Sequence, residues 1–553
     1  MKKVICLLLS AILLFSMAAC GSKADSPQTT TPSPDPAPAP ADPLPGQTED
    51  PQQPSAAAAP KLIKLQRGVQ YDYVTELVND YWFNLATARW DHLGLPEEEK
   101  ALYPKLDAYL KASNDVHSAN ADEQMHRFAD IARELAADGN TAEGFSGFPF
   151  ETTTYVTRSD ETAVSYVVSY YTYAGGVHPD MWVETYNVDP NTGLDLALSD
   201  FVNDEEQLKD VLAARLKADY EDVFENQTEA DIRTMLDEIF APSDDFDLNG
   251  EPTGTKSPDL RWSVGYQGLT FYFNTYQLSY YAAGDQTVVL MADQVPGLLK
   301  TDKLTPPAEY VTPLFGWQNF CDLDGDGIAE PISIITTGEY DEYLDDYYQT
   351  SLTVETPKGS FTDDSIEAVN SYYYVVHLAD GSRILLVSLE GIWAGQVALY
   401  DLTGRPAYLE TIGGYLDDGT VTDPSDVCLG LDTQIAGTFY GVRHYSFGEY
   451  GIFDAQQPFY ELYSELEMVS TEELELPVVD DPLKTTFART RKFAAGTHFT
   501  VVRSDNNTYL DLKDTGSGTV VRLQVTFGEY QSDQYIYDGR LIEDVFECIY
   551  WAG

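Results

Sequence analysis

The sequence predicts an α+β fold in which helices pack on an antiparallel sheet over residues 61–300, followed by β-rich domains towards the C-terminus. Three patterns predict it. Residues 164–170 alternate apolar and polar side chains, which is typical of a strand with one buried face. Residues 204–220 and 228–240 carry apolar side chains at helical spacing. From about residue 305, short apolar runs alternate with turns rich in Asp and Gly.

The chain is strongly acidic. Its 553 residues include 90 Asp and Glu against 33 Lys and Arg, which gives a formal net charge of −57 at pH 7. This balance argues against nucleic acid or an anionic lipid surface as a direct partner, and it favours cationic proteins or metal ions. Surface carboxylates that keep a secreted protein soluble would explain the same charge. The length indicates about three or four domains.

Residues 1–20 resemble a bacterial lipoprotein signal peptide. Two lysines precede an apolar run over residues 4–15 that is too short to span a bilayer, and residues 17–21 match a lipobox. We therefore expect Cys20 to carry a diacylglycerol and to hold the protein on the extracellular face of the bacterial cytoplasmic membrane. A plain secretory signal that contains Cys20 is the alternative. No other run is apolar enough to cross a membrane, so we expect membrane contact through the lipid anchor only.

Residues 21–60 are rich in Pro and Ala and predict a disordered linker, because they have too few apolar side chains to bury a core. The linker would lift the folded part into the cell wall. Three cysteines lie beyond it, at positions 321, 428 and 548. Their wide spacing and odd number leave open either three thiols or one disulfide and one thiol.

Residues 61–145 predict a helical leading part of the following module, with helices over 73–92, 97–112 and 121–137. In the third helix, one face carries Met125, Phe128, Ile131, Ala132 and Leu135. The histidines of this part do not have the spacing of helical metal ligands, so we expect surface or core histidines rather than a metal site.

Residues 146–300 predict an α+β domain. A strand over 164–170 ends at Gly175 and Gly176, which allow a backbone of positive φ, and His178 follows this turn. A returning strand is predicted over 182–189. The helical segments come next, and residues 260–300 predict the closing strands of the same sheet.

Two segments of this domain carry a family resemblance. The first reads Tyr-Ala-Gly-Gly-Val-His over residues 173–178 and continues with Tyr-Asn-Val-Asp, Thr-Gly and Leu-Ser-Asp-Phe up to residue 201. The second contains Phe-Asn-Thr-Tyr over 273–276 and Tyr-Ala-Ala-Gly over 281–284. In this order they resemble the extracellular domain shared by RsiV-type lysozyme-sensing anti-sigma factors and PdaC-type peptidoglycan deacetylases. The resemblance covers residues 145–300, which is less than a third of the chain.

The resemblance implies a ligand and a set of contact residues. It implies that the domain binds a cationic protein such as lysozyme, or peptidoglycan, and it marks Gly175, Gly176 and His178 as candidate ligand contacts. A plain turn with a hydrogen-bonded histidine is the other interpretation of these three residues. The zinc domain of the deacetylases needs an Asp and a His-x-x-x-His pair, and the two closest histidines here, His117 and His126, are nine apart. We therefore expect the zinc deacetylase domain to be missing from this chain.

An Asp-rich loop over residues 322–330 is the clearest chemical signal. Carboxylates stand at its relative positions 1, 3, 5 and 9, a glycine stands at position 6, and a backbone carbonyl is available at position 7. The predicted ligands of a structural Ca²⁺ are therefore Asp322, Asp324, Asp326, Ile328 and Glu330. Position 12 is Ser333 instead of the Glu of an EF-hand, and the flanks predict strands. An Asp/Gly hairpin turn without an ion is the alternative.

The rest of the chain predicts β-structure. Residues 305–475 repeat a pattern of strand, Asp/Gly turn and strand, which indicates an irregular or blade-like domain. Residues 476–553 predict a small all-β domain. Its Asp-Thr-Gly-Ser over 514–517 matches an aspartic-protease tetrapeptide, but no second copy occurs, so we expect a hairpin turn.

Two function classes remain. The first is a cell-surface lipoprotein with a non-catalytic binding or sensing role at the cell wall. The second is an enzyme that modifies peptidoglycan or another wall glycan with an unrecognised carboxylate pair among the 90 acidic residues. We find neither a hydrolase elbow with its partners nor a Cys/His dyad at recognisable spacing, and no pattern for an organic cofactor. We therefore favour the binding role.

Overall fold

The computed structural model describes residues 59–78, 81–137, 147–175, 177–246, 252–315, 319–341, 346–391, 395–417, 421–464, 467–528, 534–536, 539–547 and 549. The α+β fold with a β-rich C-terminal part is confirmed. By backbone contacts, residues 59–339 and 348–553 form one compact unit, to which all sites below belong. Within the described ranges, no helix combines the length and the apolar character that a membrane crossing requires.

The N-terminal sheet has six strands in sequence order, β1 to β6. Only the pair β2–β3 is parallel. The strands are Gln66–Val78, Tyr81–Gly94, Phe148–Ser159, Val164–Thr172, Asp180–Asp189 and Leu194–Asp195. The predicted helix over 73–92 is therefore wrong, because these residues form the hairpin β1–β2. Ala86, Ala88 and Trp90 are buried at every second position, which is the period of a strand.

A single long helix covers this sheet. A short helix α1 (Glu97–Lys100) precedes α2 (Pro104–Ala137), which merges the second and third predicted helices into one continuous element. The predicted inward face is confirmed for Met125, Phe128 and Ala132, which are at most 5% exposed. It packs on the sheet together with the aromatic side chains of Trp90, Phe148, Phe150, Tyr166 and Tyr170.

A second layer follows. Both predicted helices form, as α3 (Glu205–Asp219) and α4 (Glu229–Phe240). They begin where expected, since Asp204 accepts a hydrogen bond from the backbone of Gln207 and Thr228 forms a capping box with Asp231. The strands after them are β7 (Pro242–Phe246), β8 (Pro252–Pro258), β9 (Arg261–Val264), β10 (Gly268–Phe273) and β11 (Gln286–Met291).

The sequence predicted that the closing strands join the first sheet. They do not. Strands β9, β10 and β11 form a separate antiparallel sheet that packs on α3 and α4. Side chains connect the two sheets instead of a backbone ladder. Asn187 donates to the carbonyl of Trp262 at 2.8 Å, and Ser165 Oγ accepts from Val264 N at 3.1 Å.

The region after residue 305 is built from stacked sheets rather than blades. One has the order β12-β17-β18-β19-β20 and the other the order β13-β14-β15-β16. The strands β12 to β20 are Tyr310–Leu314, Asn319–Cys321, Glu330–Asp341, Asp346–Thr356, Gly359–Asp363, Asn370–His377, Arg383–Glu390, Gly395–Asp401 and Ala407–Gly413. One apolar core lies between these two sheets, and a second core covers the other face of the five-stranded sheet. This explains why seven consecutive residues of β18 are buried.

The last sheet crosses the predicted boundary at residue 475. Its elements β21 to β33 are Tyr415–Leu416, Val427–Thr433, Phe439–Phe447, Phe453–Ala455, Tyr460–Tyr463, Met468–Ser470, Leu474–Pro477, Thr490–Phe493, His498–Ser504, Tyr509–Asp514, Val520–Phe527, Gln534–Ile536 and Phe546–Glu547, with α5 at Ile542–Val545. The pair β25–β29 joins both predicted domains into one sheet, and only β27 and β28 pair apart from it. The Asp-Thr-Gly-Ser segment is a turn between β30 and β31, in which Asp514 accepts from the backbone of Gly516.

Candidate functional site

We call residues 61–300 the N-terminal module. The two segments that carry the family resemblance meet at its surface. The imidazole of His178 stacks on the ring of Tyr281, with ring centroids 3.6 Å apart and an angle of 22° between the planes. Tyr281 also donates its hydroxyl hydrogen to the carbonyl oxygen of Pro179 at 3.0 Å. The ring of Tyr276 lies 5.7 Å from that of Tyr281. A contact between distant parts of the chain therefore organises this region.

This region is exposed and apolar, which is unusual for side chains of this size. Val177 is 98% exposed, Tyr276 64% and Tyr280 62%. We call this region the aromatic surface and define it by Val177, His178, Tyr276, Tyr280 and Tyr281. Exposed apolar patches with a polar rim are typical of binding sites for other molecules.

Hydrogen bonds fix the second segment against the first. The side-chain amide of Asn274 accepts from Val183 N at 3.0 Å and donates to Val183 O at 3.1 Å, so it pairs with β5 as a strand residue would. Asp285 accepts from Thr275 N at 2.6 Å. Between these anchors, Tyr276 has a φ of +71°, which is rare for a residue with a side chain. Such backbone strain is concentrated at functional sites.

The first segment depends on Gly175. Its φ is +79°, and a Cβ at this position would lie 3.1 Å from Cζ of Phe148. The predicted requirement for glycine is therefore confirmed for Gly175, whereas Gly176 lies outside the described residues. His178 Nδ1 lies 3.0 Å from the carbonyl oxygen of Pro179, so the imidazole is hydrogen-bonded and also available at the surface.

The rim of the aromatic surface is acidic. Burial is the largest cause that raises the pKa of Tyr281, and the carboxylates of Asp180 and Asp285 add to it. Both carboxylates belong to exposed residues. A cationic ligand would find negative charge beside apolar rings here.

The Asp-rich loop brings together three of its four predicted carboxylate ligands. Carboxylate oxygens of Asp322, Asp324 and Glu330 lie within 4.8 Å of one another, whereas Asp326 is not part of this group. The fifth predicted ligand is the backbone carbonyl of Ile328, which would add an uncharged oxygen. Hydrogen bonds within the loop also hold its shape, because the carboxylate of Asp322 accepts from Gly325 N at 2.6 Å and from Gly327 N at 3.1 Å. Burial raises the pKa of Glu330, and the neighbouring carboxylates add to the rise. A divalent cation would relieve this repulsion, so three residues fit the predicted Ca²⁺.

The other predicted site residues are separated from these. Cys20 lies outside the described residues. Cys321 and Cys428 are thiols, and Cys548 lies outside the described residues. His117 is buried and bonded to the hydroxyl of Tyr186, and His126 lies 3.5 Å from Asp122 on the exposed side of α2. The partnership of His178 with Tyr281 was not predicted from the sequence, although Tyr276 and Tyr281 stand within the two motifs of the second segment.

Comparison with known proteins places a family domain here. Residues 199–292 match a family described as "Protein of unknown function (DUF3298)". This part of the chain is therefore similar to the DUF3298 family. The second segment of the aromatic surface lies inside the matched range, whereas Val177 and His178 of the first segment precede it.

Two solved structures of this family are similar to the chain. A DUF3298 family member from Bacteroides fragilis is 16% identical, covers 43% of this chain and 96% of its own, and has a TM-score of 0.30. A DUF3298 family protein from Pseudomonas aeruginosa is 16% identical, covers 44% of this chain and 98% of its own, and has a TM-score of 0.29. No curated protein matches the chain.

Proposed function

We propose that this protein is a cell-surface lipoprotein that binds a partner at the cell wall through the aromatic surface, without catalysing a reaction there. The observation that carries this proposal is the stacking of His178 on Tyr281 beside the exposed rings of Tyr276 and Tyr280. Exposed tyrosines held by a rigid backbone supply large contact area at a low cost in conformational entropy, which is why they are frequent in binding hot spots.

We propose a cationic protein of the lysozyme kind as the partner. The resemblance to RsiV-type sensors supports this choice. So does the charge of −57, which would steer a cationic protein towards the chain, and so do Asp180 and Asp285 at the rim of the aromatic surface. Peptidoglycan is the second candidate, because tyrosine rings also stack on sugars.

Two further parts complete the proposal. A lipid on Cys20 and the linker over 21–60 would place the module on the extracellular face of the cytoplasmic membrane and hold it within the wall. A structural Ca²⁺ bound by Asp322, Asp324 and Glu330 would stabilise the β-rich part. A Cys20→Ser variant should appear in the culture medium instead of the membrane fraction.

Calorimetric titration tests the binding. The chain without its first 20 residues is titrated with a catalytically inactive lysozyme at physiological salt, and with a charge-matched control protein. We expect micromolar or tighter binding of lysozyme only. A Tyr276→Ser/Tyr280→Ser variant should bind at least about tenfold more weakly, as hot-spot residues do. A matched variant, Tyr408→Ser, removes a tyrosine that is 47% exposed on β20 and should bind normally.

Other results would overturn this proposal. Equal heat with lysozyme and with the control protein would mean that only charge is recognised. Heat with soluble peptidoglycan fragments alone would make the wall itself the partner. Release of new reducing ends or amines from those fragments by the Tyr276→Ser/Tyr280→Ser variant would favour the alternative, a wall-modifying enzyme with its carboxylates elsewhere.

A further inference from the structure

A groove of about 680 Å³ lies between the N-terminal module and the last sheet. Two contacts hold its walls together. Lys64 pairs with Asp423 at 2.7 Å, and Thr422 donates its hydroxyl hydrogen to the carbonyl of Leu65 at 3.2 Å. Its floor is one face of β22 and β23. The opposite face of these strands is buried, because Val427 and Leu429 belong to the core against the five-stranded sheet.

Three chemically active side chains stand in one row across this floor. Cys428 of β22 is the direct cross-strand neighbour of His444 of β23. Strand β21 pairs with β22 so that Asp417, the next residue after β21, continues the same row. Cys428 Sγ lies 3.8 Å from His444 Nε2 and donates to Asp417 Oδ2 at 3.5 Å. Strand register therefore places a thiol between an imidazole and a carboxylate.

A second carboxylate orients the imidazole. His444 Nδ1 lies 2.7 Å from Asp426 Oδ1, which Gln456 also contacts at 3.3 Å. Since Nδ1 bonds to Asp426, Nε2 faces the thiol. The hydrogen bond to Asp426 is the largest cause that raises the pKa of His444. The side chains of His444 and Asp426 are 35% and 40% exposed, so a substrate can reach them from the groove.

We propose that Cys428, His444 and Asp426 form a nucleophilic acyl-transfer site. Cys428 is the nucleophile, His444 the general base and Asp426 the positioning residue. A thiol beside an imidazole that a carboxylate orients is the arrangement of thiol-dependent hydrolases and acyltransferases. This site lies outside the DUF3298 domain, so the activity adds to the proposed binding function.

The reaction needs only an acyl donor and water or an amine. His444 Nε2 takes the thiol proton while Sγ attacks the carbonyl carbon of an amide or ester, and the bond from that carbon to nitrogen or oxygen breaks. The leaving amine or alcohol receives the proton from His444. Water or a second amine then attacks the thioester, its proton passes to His444, and the proton returns to sulfur as the C–S bond breaks.

The charges in the groove select the substrate. Asp417 opposes the formation of a thiolate at Cys428, although the hydroxyl of Tyr440 donates to this carboxylate and draws off part of its charge. Glu461 adds further negative charge near His444. A cationic group bound by Asp417 would remove this opposition. The substrate class is therefore a peptide amide or ester with a lysine-like ammonium beside the scissile bond.

A metal centre fits this cluster less well. Over the described ranges, one group of three potential metal ligands has all its ligand atoms within 4.8 Å of one another, and this group is Asp322, Asp324 and Glu330. Asp417, Cys428 and His444 do not meet that condition. Zinc ligands in proteins lie closer together around one ion.

Alkylation by iodoacetamide tests the thiol. The chain without its first 20 residues is labelled between pH 5 and 9, and mass spectrometry of peptides assigns each site. Cys321 is the internal reference, because it is buried and burial raises its pKa to about 12. We expect Cys428 to react at pH 7, His444→Gln to slow it about tenfold, and Asp426→Asn to shift the pH profile to higher pH. A rate and profile that His444→Gln leaves unchanged would overturn the proposal.

Asp417→Asn separates the reactivity of the Cys428 thiol from the recognition of a cationic substrate. Iodoacetamide is uncharged, so Cys428 should react faster when Asp417 no longer opposes the thiolate. The p-nitrophenyl esters of acetyl-lysine and acetyl-norleucine then probe acyl transfer. The native chain should give a burst of nitrophenol and an acyl adduct on Cys428, faster with the lysine ester, and Asp417→Asn should abolish that preference.

Controls make the result decisive. Cys428→Ser should form no adduct, and Glu355→Gln, which removes an exposed carboxylate of β15, should behave as the native chain. Circular dichroism confirms that each variant is folded. Absence of an adduct on Cys428 with both esters would overturn the proposal. Binding of one equivalent of Zn²⁺ that Cys428→Ser abolishes would also overturn it and make the cluster a metal centre.

Discussion

The imidazole of His178 and the ring of Tyr281 are stacked at 3.6 Å, and they bring together two segments that are far apart in the sequence. Both segments belong to the motifs that carry the family resemblance. Glycine is needed shortly before His178, because Gly175 has a φ of +79° and a Cβ there would lie 3.1 Å from Cζ of Phe148. The motifs therefore describe one surface rather than two separate turns.

Replacement of Tyr281 separates the two contacts of its side chain. Tyr281→Phe keeps the stack on His178 and loses the hydrogen bond to Pro179, which should lower the free energy of unfolding by about 1 kcal/mol. Tyr281→Ala also loses the stack and should cost about 1 kcal/mol more. Urea unfolding measures both. Equal stabilities of the two variants would contradict the role of the stack.

The buried pair of Arg158 and Asp160 should be the most sensitive point of the N-terminal module. Both side chains are fully buried and 2.9 Å apart, and Arg158 also donates to the carbonyl of Lys303 at 2.8 Å. Arg158→Met would leave a buried carboxylate without its cation, which should cost about 3–5 kcal/mol.

The double variant Arg158→Met/Asp160→Asn is the matched control for this pair. It removes the negative charge of Asp160, which Arg158→Met alone would leave buried without a cation. It should therefore be more stable than Arg158→Met in urea unfolding. A double variant less stable than Arg158→Met would show that the hydrogen bonds that Asp160 accepts from the backbone of Thr162 and Ala163 matter more than the charge.

Calcium should stabilise the Asp-rich loop. At a concentration one hundred times the dissociation constant, Ca²⁺ should add about 2.7 kcal/mol to the free energy of unfolding, and a chelator should remove it. Asp324→Asn changes a member of the carboxylate group and should weaken binding strongly. Asp326→Asn changes a carboxylate outside that group and should have a smaller effect. Equal unfolding midpoints in Ca²⁺ and in chelator would contradict the prediction.

Local sequence patterns were sufficient to predict a helix or strand where its apolar side chains mark a buried face. Helices α3 and α4 formed as predicted, because their apolar side chains repeat at the period of a helix. Strand β4 also formed, but its first five residues are all buried, so the prediction of a single buried face is wrong. Strand β1 was not recognised, since Tyr71 and Tyr73 are 70% and 63% exposed and no apolar face marks the strand. Its partner β2 does alternate at Ala86, Ala88 and Trp90, but the pattern is short.

The candidate sites could also be predicted only where a local sequence pattern defines them. Gly175 and the Asp-rich loop were predicted, because a tight turn restricts the residues within a few positions of one another. The partner of His178 could not be predicted, since only the tertiary fold brings Tyr281 to it. The pairing of Cys428 with His444 depends on the register of the hairpin β22–β23, and a spacing of that kind has no sequence signature.

The buried His117 should make the protein less stable in mild acid. Burial is the largest cause that lowers its pKa to about 4, and the nearby His92 adds to it. The unfolded chain takes up a proton near pH 6.5, whereas the folded chain resists it until about pH 4. Stability is therefore full above pH 6.5 and falls between these values, by about 3 kcal/mol in total.

His117→Gln isolates this effect. Glutamine does not titrate and can still bond to the hydroxyl of Tyr186, so the variant should lose less stability than the native chain between pH 6.5 and 4. His126→Gln is the control, because its side chain is 66% exposed and should leave the pH dependence unchanged. Urea midpoints from pH 4 to pH 8 measure the difference. Parallel curves for the native chain and His117→Gln would show that His117 is protonated in the folded protein.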